Sequence, residues 1–169
     1  MQIRVLFRYC CQNGHIAVAK WLLGLGTTCS HPTCPSGTRY SVGQVDIHAQ
    51  DEYAFRYSCQ NGHLAVAKWL YFLDGVDIHA QNEYAFRYSC LKGHLAVAKW
   101  LYSLGQVDIH AHNEDAFRHS CENGHLAVAK WLYSLGQVDI HADNEYAFRY
   151  SPKKVNDWLN LIDLIDLTE

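Results

Sequence analysis

Residues 76–106 read VDIHAQNEYAFRYSCLKGHLAVAKWLYSLGQ, and residues 107–137 repeat the string with few changes as VDIHAHNEDAFRHSCENGHLAVAKWLYSLGQ. Trp69, Trp100 and Trp131 stand 31 residues apart, each behind an NGHL or KGHL tetrapeptide. A fixed period of this length marks a repeat architecture, in which each unit is one supersecondary element. Within the unit, Asn82 suits a helix N-cap, Glu83 suits the positive helix end and Gly93 stops the segment, which predicts a short helix over 83–92. A second helix is predicted over 95–104, with Gly105 as its C-terminal stop. On that helix Ala96, Lys99 and Ser103 share one narrow arc and apolar residues fill the rest, so it needs cover on several sides.

On the first helix Ala85, Phe86, Ser89 and Cys90 share a face of the small-residue kind that close helix stacking requires, while Tyr84, Tyr88 and Leu91 share another. Residues 107–111, VDIHA, alternate in the strand manner too briefly for a strand and read as an extended finger or turn between helix pairs. No single unit can bury its own apolar surface, whereas four or five stacked units can. The architecture expected is therefore an all-α solenoid of stacked helix-turn-helix repeats joined by short finger turns.

Working outward, a further copy lies upstream, where Asn13-Gly14-His15-Ile16 leads to Trp21, but 48 residues separate Trp21 from Trp69. Seventeen extra residues fall between Leu25 and Val45, with Cys29, His31, Pro32, Cys34, Pro35 and Gly37 giving them the character of a loop. Downstream, VDIHADNEYAFRYS opens a last copy at Val138, Pro152 replaces the repeated Cys, and KKVNDWLNLIDLIDLTE follows. The chain thus divides into a first unit without a finger over 1–44, carrying the insertion near 26–44, then units over 45–75, 76–106 and 107–137, and a divergent last unit with its cap over 138–169.

Lys and Arg total 14 against 17 Asp and Glu, a net charge of −3. That balance lacks the basic excess that phosphate-backbone binding demands, so nucleic acid is not an expected partner. Residues 1–44 carry Arg4, Arg8, Lys20 and Arg39 with no acid, while residues 138–169 carry seven acids against three bases. No signal-peptide or membrane-spanning run appears, and four of the seven cysteines recur at one repeat position. Buried thiols in a reducing compartment suit that pattern better than a disulfide framework, and a cytoplasmic monomer is expected.

The unit DIHAQNEYAFRYSCLKGHLAVAKWLYSLGQV resembles the ankyrin repeat. GHLAVAKWL, Gly105 and the D-x-x-A turn from Asp108 to Ala111 match that family's second helix and finger, whereas its T-P-L-H-x-A opening is replaced by Tyr84-Ala85-Phe86-Arg87-Tyr88-Ser89 and the period is two residues short. The phrasing NEYAFR…GH.AVAKWLY is most similar to the ankyrin proteins of giant DNA viruses of amoebae. The resemblance implies a protein-binding solenoid with no catalytic residues and no cofactor, and a partner that is an unidentified protein, of the host cell if the chain is viral. A narrower version makes it a recruiter for a ubiquitin ligase through residues 155–167, where Val155, Leu159, Ile162 and Ile165 form an apolar stripe that a simple end cap would share. A rival reading is a structural or decaying fragment of a larger repeat array with no dedicated partner.

Three constellations invite chemistry. The pairs Cys11/His15, Cys59/His63, Cys90/His94 and Cys121/His125 have a spacing open to a nucleophile with its base or to metal ligation. The helix-breaking glycine before each His and the fourfold copying favour packing for Cys and helix-start or loop-backbone bonding for His. The His of each Asp-Ile-His, after Asp46, Asp77, Asp108 and Asp139, is expected to bond to the finger backbone. Cys29, His31 and Cys34 lie within six residues on a surface loop, open to an incomplete zinc site, a Cys29–Cys34 bridge or a partner-contacting loop.

Comparison among the copies gives candidate partner contacts. Constant positions are those expected to be held by stacking. The varied ones fall at the finger tip, as Gln50, Gln81, His112 and Asp143, and at the end of the first helix, as Gln60, Leu91, Lys92 and Glu122. Tyr53 with Tyr57 and Tyr84 with Tyr88 are paired one turn apart, and their counterparts in the next copy are Asp115 and His119. A joint change from aromatic to polar predicts a partly exposed strip, either a selective contact surface or a cover over the seams between repeats.

Overall fold

A computed structural model describes residues 2–24, 45–73 and 75–166. Among these residues there are ten helices and no strands. They form five pairs: α1 (Gln2–Gln12) with α2 (Ile16–Leu22), α3 (Ala49–Gln60) with α4 (Leu64–Leu73), α5 (Ala80–Leu91) with α6 (Leu95–Ser103), α7 (Ala111–Glu122) with α8 (Leu126–Ser134), and α9 (Ala142–Tyr150) with α10 (Lys153–Asp166). The insertion, and with it Cys29, His31 and Cys34, lies outside the described residues.

The first helix of each pair packs directly on the next, α1 on α3, α3 on α5, α5 on α7 and α7 on α9. The second helices are spaced more widely and meet chiefly through rings, Tyr71 on Trp100, Tyr102 on Trp131 and Tyr133 on Trp158. A row packed closely on one side and spaced by large rings on the other curves toward the close side, so the first helices line the inner face. Small residues allow that closeness, for Ala54, Ala85, Ala116 and Ala147 are fully buried together with Cys59, Cys90 and Cys121.

Each repeat lays its Trp on the preceding Phe: Trp69 on Phe7, Trp100 on Phe55, Trp131 on Phe86 and Trp158 on Phe117, with centroids 6.3, 6.2, 6.2 and 6.4 Å apart. At the far end Phe148 is instead stacked by His141 at 5.4 Å, and His141 is held by Glu145 and Asp163. Trp21, in the first pair, is 69% exposed. Of the apolar stripe expected on the last helix, Val155, Leu159 and Ile162 are buried against the array and Ile165 is exposed.

The expected start of the first helix needs correction. The span 83–92 with Asn82 as N-cap is replaced by α5 from Ala80, in which Gln81, Asn82 and Glu83 all have positive φ (54°, 53° and 61°) and right-handed geometry resumes at Tyr84. The same three-residue left-handed turn opens α3, α7 and α9. Left-handed geometry costs an L-residue about 1–2 kcal/mol, so an isolated turn of this kind would not persist. It is held by the buried arginine four residues on: Arg87 donates Nε to the Asn82 carbonyl at 2.7 Å and Nη2 to that of Gln81 at 3.3 Å, and Arg56 and Arg118 repeat the arrangement.

The finger is a turn. The His110 backbone N–H donates to Asp108 Oδ1 at 2.9 Å, so Asp nucleates the turn. The imidazole expected to bond to the finger backbone instead meets a carboxylate, His79 Nδ1 to Glu83 Oε1 and His110 Nδ1 to Glu114 Oε1, both at 2.5 Å. Glu83 Oε1 also accepts from the Asp108 N–H at 3.4 Å, tying one repeat's turn to the next repeat's finger.

Candidate functional site

The Cys/His pairs hold buried thiols. Burial pushes the thiols up, Cys11 and Cys121 to about 12, which suppresses the thiolate that nucleophilic chemistry needs. His63, His94 and His125 seat on the preceding repeat's glycine: a Cβ built on Gly14, Gly62 or Gly93 would stand 2.7, 2.6 and 2.6 Å from their respective Nδ1 atoms. Burial, then the neighbouring His125 and His63 charges, lower the pKa of His94. Among the described residues no cluster of three or more metal-ligating side chains occurs, and no helix is long and apolar enough to cross a membrane.

The row of first helices brings the candidate contacts together. Gln50, Gln81, Lys92, His112 and Asp143 are exposed, while Tyr53, Tyr57, Gln60, Tyr84, Tyr88, Leu91, Asp115, His119 and Glu122 are half-buried. Tyr53 stacks on Tyr57 at 4.1 Å, Tyr57 meets Tyr84 across the seam at 5.8 Å, and Tyr84 stacks on Tyr88 at 4.0 Å. The first tyrosine of each pair also reaches back over the seam: Tyr84 Oη donates to Gln60 Oε1 at 2.7 Å and Tyr146 Oη to Glu122 Oε2 at 3.0 Å. Over the same rings lie the turn-holding arginines, Arg56 at 4.6 Å from Tyr84 and Arg118 at 4.9 Å from Tyr146.

One seam differs. Where Gln60 and Glu122 accept from tyrosine, Leu91 has no acceptor, and the residue facing it is Asp115. Arg87 Nη1 meets Asp115 Oδ2 at 2.6 Å, His119 Nε2 lies 3.0 Å from Asp115 Oδ1, and His119 Nδ1 lies 2.7 Å from Glu122 Oε2. Burial alone raises the Asp115 carboxyl, but the bonds from His119 and Arg87 outweigh it and hold the group at about 2. His119 is raised by its bond to Asp115 against burial, and Glu122 is lowered by its bond to His119.

The finger tips form their own ladder. Gln81 Nε2 donates to Asp51 Oδ2 at 3.1 Å, Asn82 pairs with His112 at 3.3 Å, and Arg118 Nη1 reaches Asp143 at 2.9 Å. The arginines and glutamates that organise turn and seam were missing from the candidates drawn from the sequence. Their signal was constancy of charge at positions flanked by buried Ala, Phe and Ser.

Stacked helix pairs with seams this regular, an inner face of first helices and fingers at one edge define a helical-repeat solenoid of the kind that holds other proteins. The family model for ankyrin repeats, in three copies, matches residues 55–144, more than half of the chain, and the chain belongs to that family. Comparison with curated proteins gives no match. Ankyrin repeats generally mediate protein–protein interaction, and proteins built from them are typically non-catalytic binding modules.

Proposed function

We propose that the chain is a non-catalytic adaptor that holds another protein along the row of first helices and finger tips. One observation carries this reading. On the outer face, several exposed positions keep their residue from copy to copy, as Ala65, Ala96 and Ala127 do, and as Lys68, Lys99 and Lys130 do over the Trp rings. On the inner face the exposed tips change, as Gln50, Gln81, His112 and Asp143, and so does the end of the first helix, where half-buried Asn61 bonds to the Gln12 carbonyl at 3.0 Å and Lys92 and Asn123 are exposed. The outer face varies too, where exposed Phe72 gives way to Ser103 and Ser134, but the changed tips of the inner face lie in one ladder of side-chain contacts, as a contact surface for one partner would require. The half-buried Tyr53, Tyr57, Gln60, Tyr84, Tyr88, Leu91, Asp115, His119 and Glu122 form the floor beneath those tips.

In this reading the adaptor works in the cytoplasm, where buried Cys59, Cys90 and Cys121 would stay reduced, and its partner is a protein of the host cell if the chain is viral. Because the tyrosines bind one another across seams, the test uses exposed side chains. Gln81, Lys92 and His112 changed together to Ala should abolish capture of the partner from host lysate, identified by mass spectrometry against the unaltered chain, while the thermal transition stays in place. Persistent capture would place the contact elsewhere.

A further inference from the structure

The row of first helices begins in a cleft built differently from every later seam. Counted back by 48 residues, Gln2, Ile3 and Arg4 hold the places of Gln50, Asp51 and Glu52, yet they lie in α1 and show no positive φ. The left-handed turn is missing there, and so are the carbonyls that Arg56, Arg87 and Arg118 hold with Nε and Nη2. Arg8, their counterpart, gives Nη1 to Gln50 Oε1 and lies 5.3 Å over the Tyr53 ring, and its Nε and Nη2 have no acceptor among the described residues. Around it Val5, Tyr9, Gln12, Gln50 and Tyr53 line an open cleft of about 230 Å³, with Val5 51% and Tyr9 58% exposed.

We infer that this cleft binds the side-chain carboxylate of an aspartate in a partner peptide, with a neighbouring apolar side chain resting on Val5 and Tyr9. The chemistry of the occupant is written twice inside the molecule, where the same arginine position takes an aspartate carboxylate across the seam, Arg87 with Asp115 at 2.6 Å and Arg118 with Asp143 at 2.9 Å. Arg56, facing Tyr84 and Gln81, has its Nη2 and Nε held by the turn carbonyls of Gln50 and Asp51; Arg8, facing Tyr53 and neutral Gln50, has no such carbonyls, so a carboxylate for its free donors would come from outside. The helix pair α1–α2 favours it, since residues 2–24 hold Arg4, Arg8 and Lys20 and no acid. A guanidinium fork with two donors in hand gives a charge-assisted bidentate bond, and an apolar wall beside it gives the peptide direction. The inference deepens the adaptor reading, because Gln50 and Tyr53 belong to its row.

The test is titration of the isotope-labelled full chain, followed by amide NMR shifts, with acetyl-Leu-Asp-Leu-amide, acetyl-Leu-Asn-Leu-amide and acetyl-leucine. The aspartate peptide should move the amides of Val5, Arg8, Tyr9 and Tyr53 and bind at least about tenfold more tightly than the asparagine peptide. Arg8→Gln should remove that preference, while Arg149→Gln, at the other end of the row, should leave it intact. Equal binding of the two peptides, or a preference that survives Arg8→Gln, overturns the assignment, and tighter binding of acetyl-leucine moves the carboxylate to a chain end. If Arg8→Gln disturbs α1, Val5→Ser decides: weaker binding of the aspartate peptide supports the cleft and unchanged binding refutes it. This titration and the capture assay on Gln81, Lys92 and His112 fail separately, so each reading is judged by its own result.

Discussion

Gly93→Ala isolates the contact that spaces the repeats. Gly93 has φ +78°, which costs an alanine about 1–2 kcal/mol relative to glycine. The added Cβ would also stand 2.6 Å from Nδ1 and 2.8 Å from Cε1 of His125 in the following repeat, so the imidazole or the seam must shift. Overpacking of this kind costs about 1–3 kcal/mol, for a total of about 2–5 kcal/mol. Gly105→Ala is the control, because its φ is +91° but a Cβ there meets nothing within 4 Å, leaving only the conformational part of about 1–2 kcal/mol. Urea unfolding followed by far-ultraviolet circular dichroism measures both, and a shared slope keeps them comparable. In a His125→Ala background the cost of Gly93→Ala should fall to that of Gly105→Ala. Equal costs in the unaltered protein, or an undiminished cost in the His125→Ala background, would refute the role given to the glycine–histidine contact.

Trp100→Ala should destabilise by about 2–4 kcal/mol, since the half-buried ring joins Phe55, Tyr71 and Lys68 of the preceding repeat, while Trp21→Ala should cost less than about 1 kcal/mol; urea midpoints decide. The His119 seam sets a pH dependence of definite sign. Its folded pKa lies above the ordinary 6.5, so its contribution is full below pH 6.5 and is lost as pH rises through the folded value; the stability gap between the unaltered protein and His119→Gln should therefore narrow above pH 6.5, and a constant gap would contradict the bond pattern. Asp115, held at about 2 against an ordinary 3.8, acts in the other window, its contribution being present above pH 3.8 and lost as pH falls toward 2.

The period, the glycines and the apolar faces were legible because each records a local requirement. Gly105 ends a helix, Ala85 and Cys90 permit close packing, and Trp100 is too large to be left without a neighbour. The left-handed turn was not legible. Asn82 and Glu83 fit the pattern of an ordinary helix start, and the interactions that make the rarer geometry hold, from Arg87 back to the carbonyls of residues 81 and 82 and from Glu83 on to Asp108, join positions that no local rule connects. The same holds for His79, whose carboxylate partner is four residues away only because the chain reverses hand between them.

The seam also sorts the varied positions by cause. A tyrosine at position 115 would find Leu91 where its counterparts find Gln60 or Glu122, and its half-buried hydroxyl would lose the acceptor it has at the other seams, a loss of about 1–3 kcal/mol. Asp115 needs no acceptor and takes the Arg87 cation instead, and His119, in place of a second tyrosine, sets one ring nitrogen against Asp115 and the other against Glu122. The changes at 91, 115 and 119 therefore account for one another within the stack. No such internal compensation links Lys92 to its neighbours, and the tip residues Gln81 and His112 make only exposed side-chain contacts, so packing within the stack does not account for the variation there.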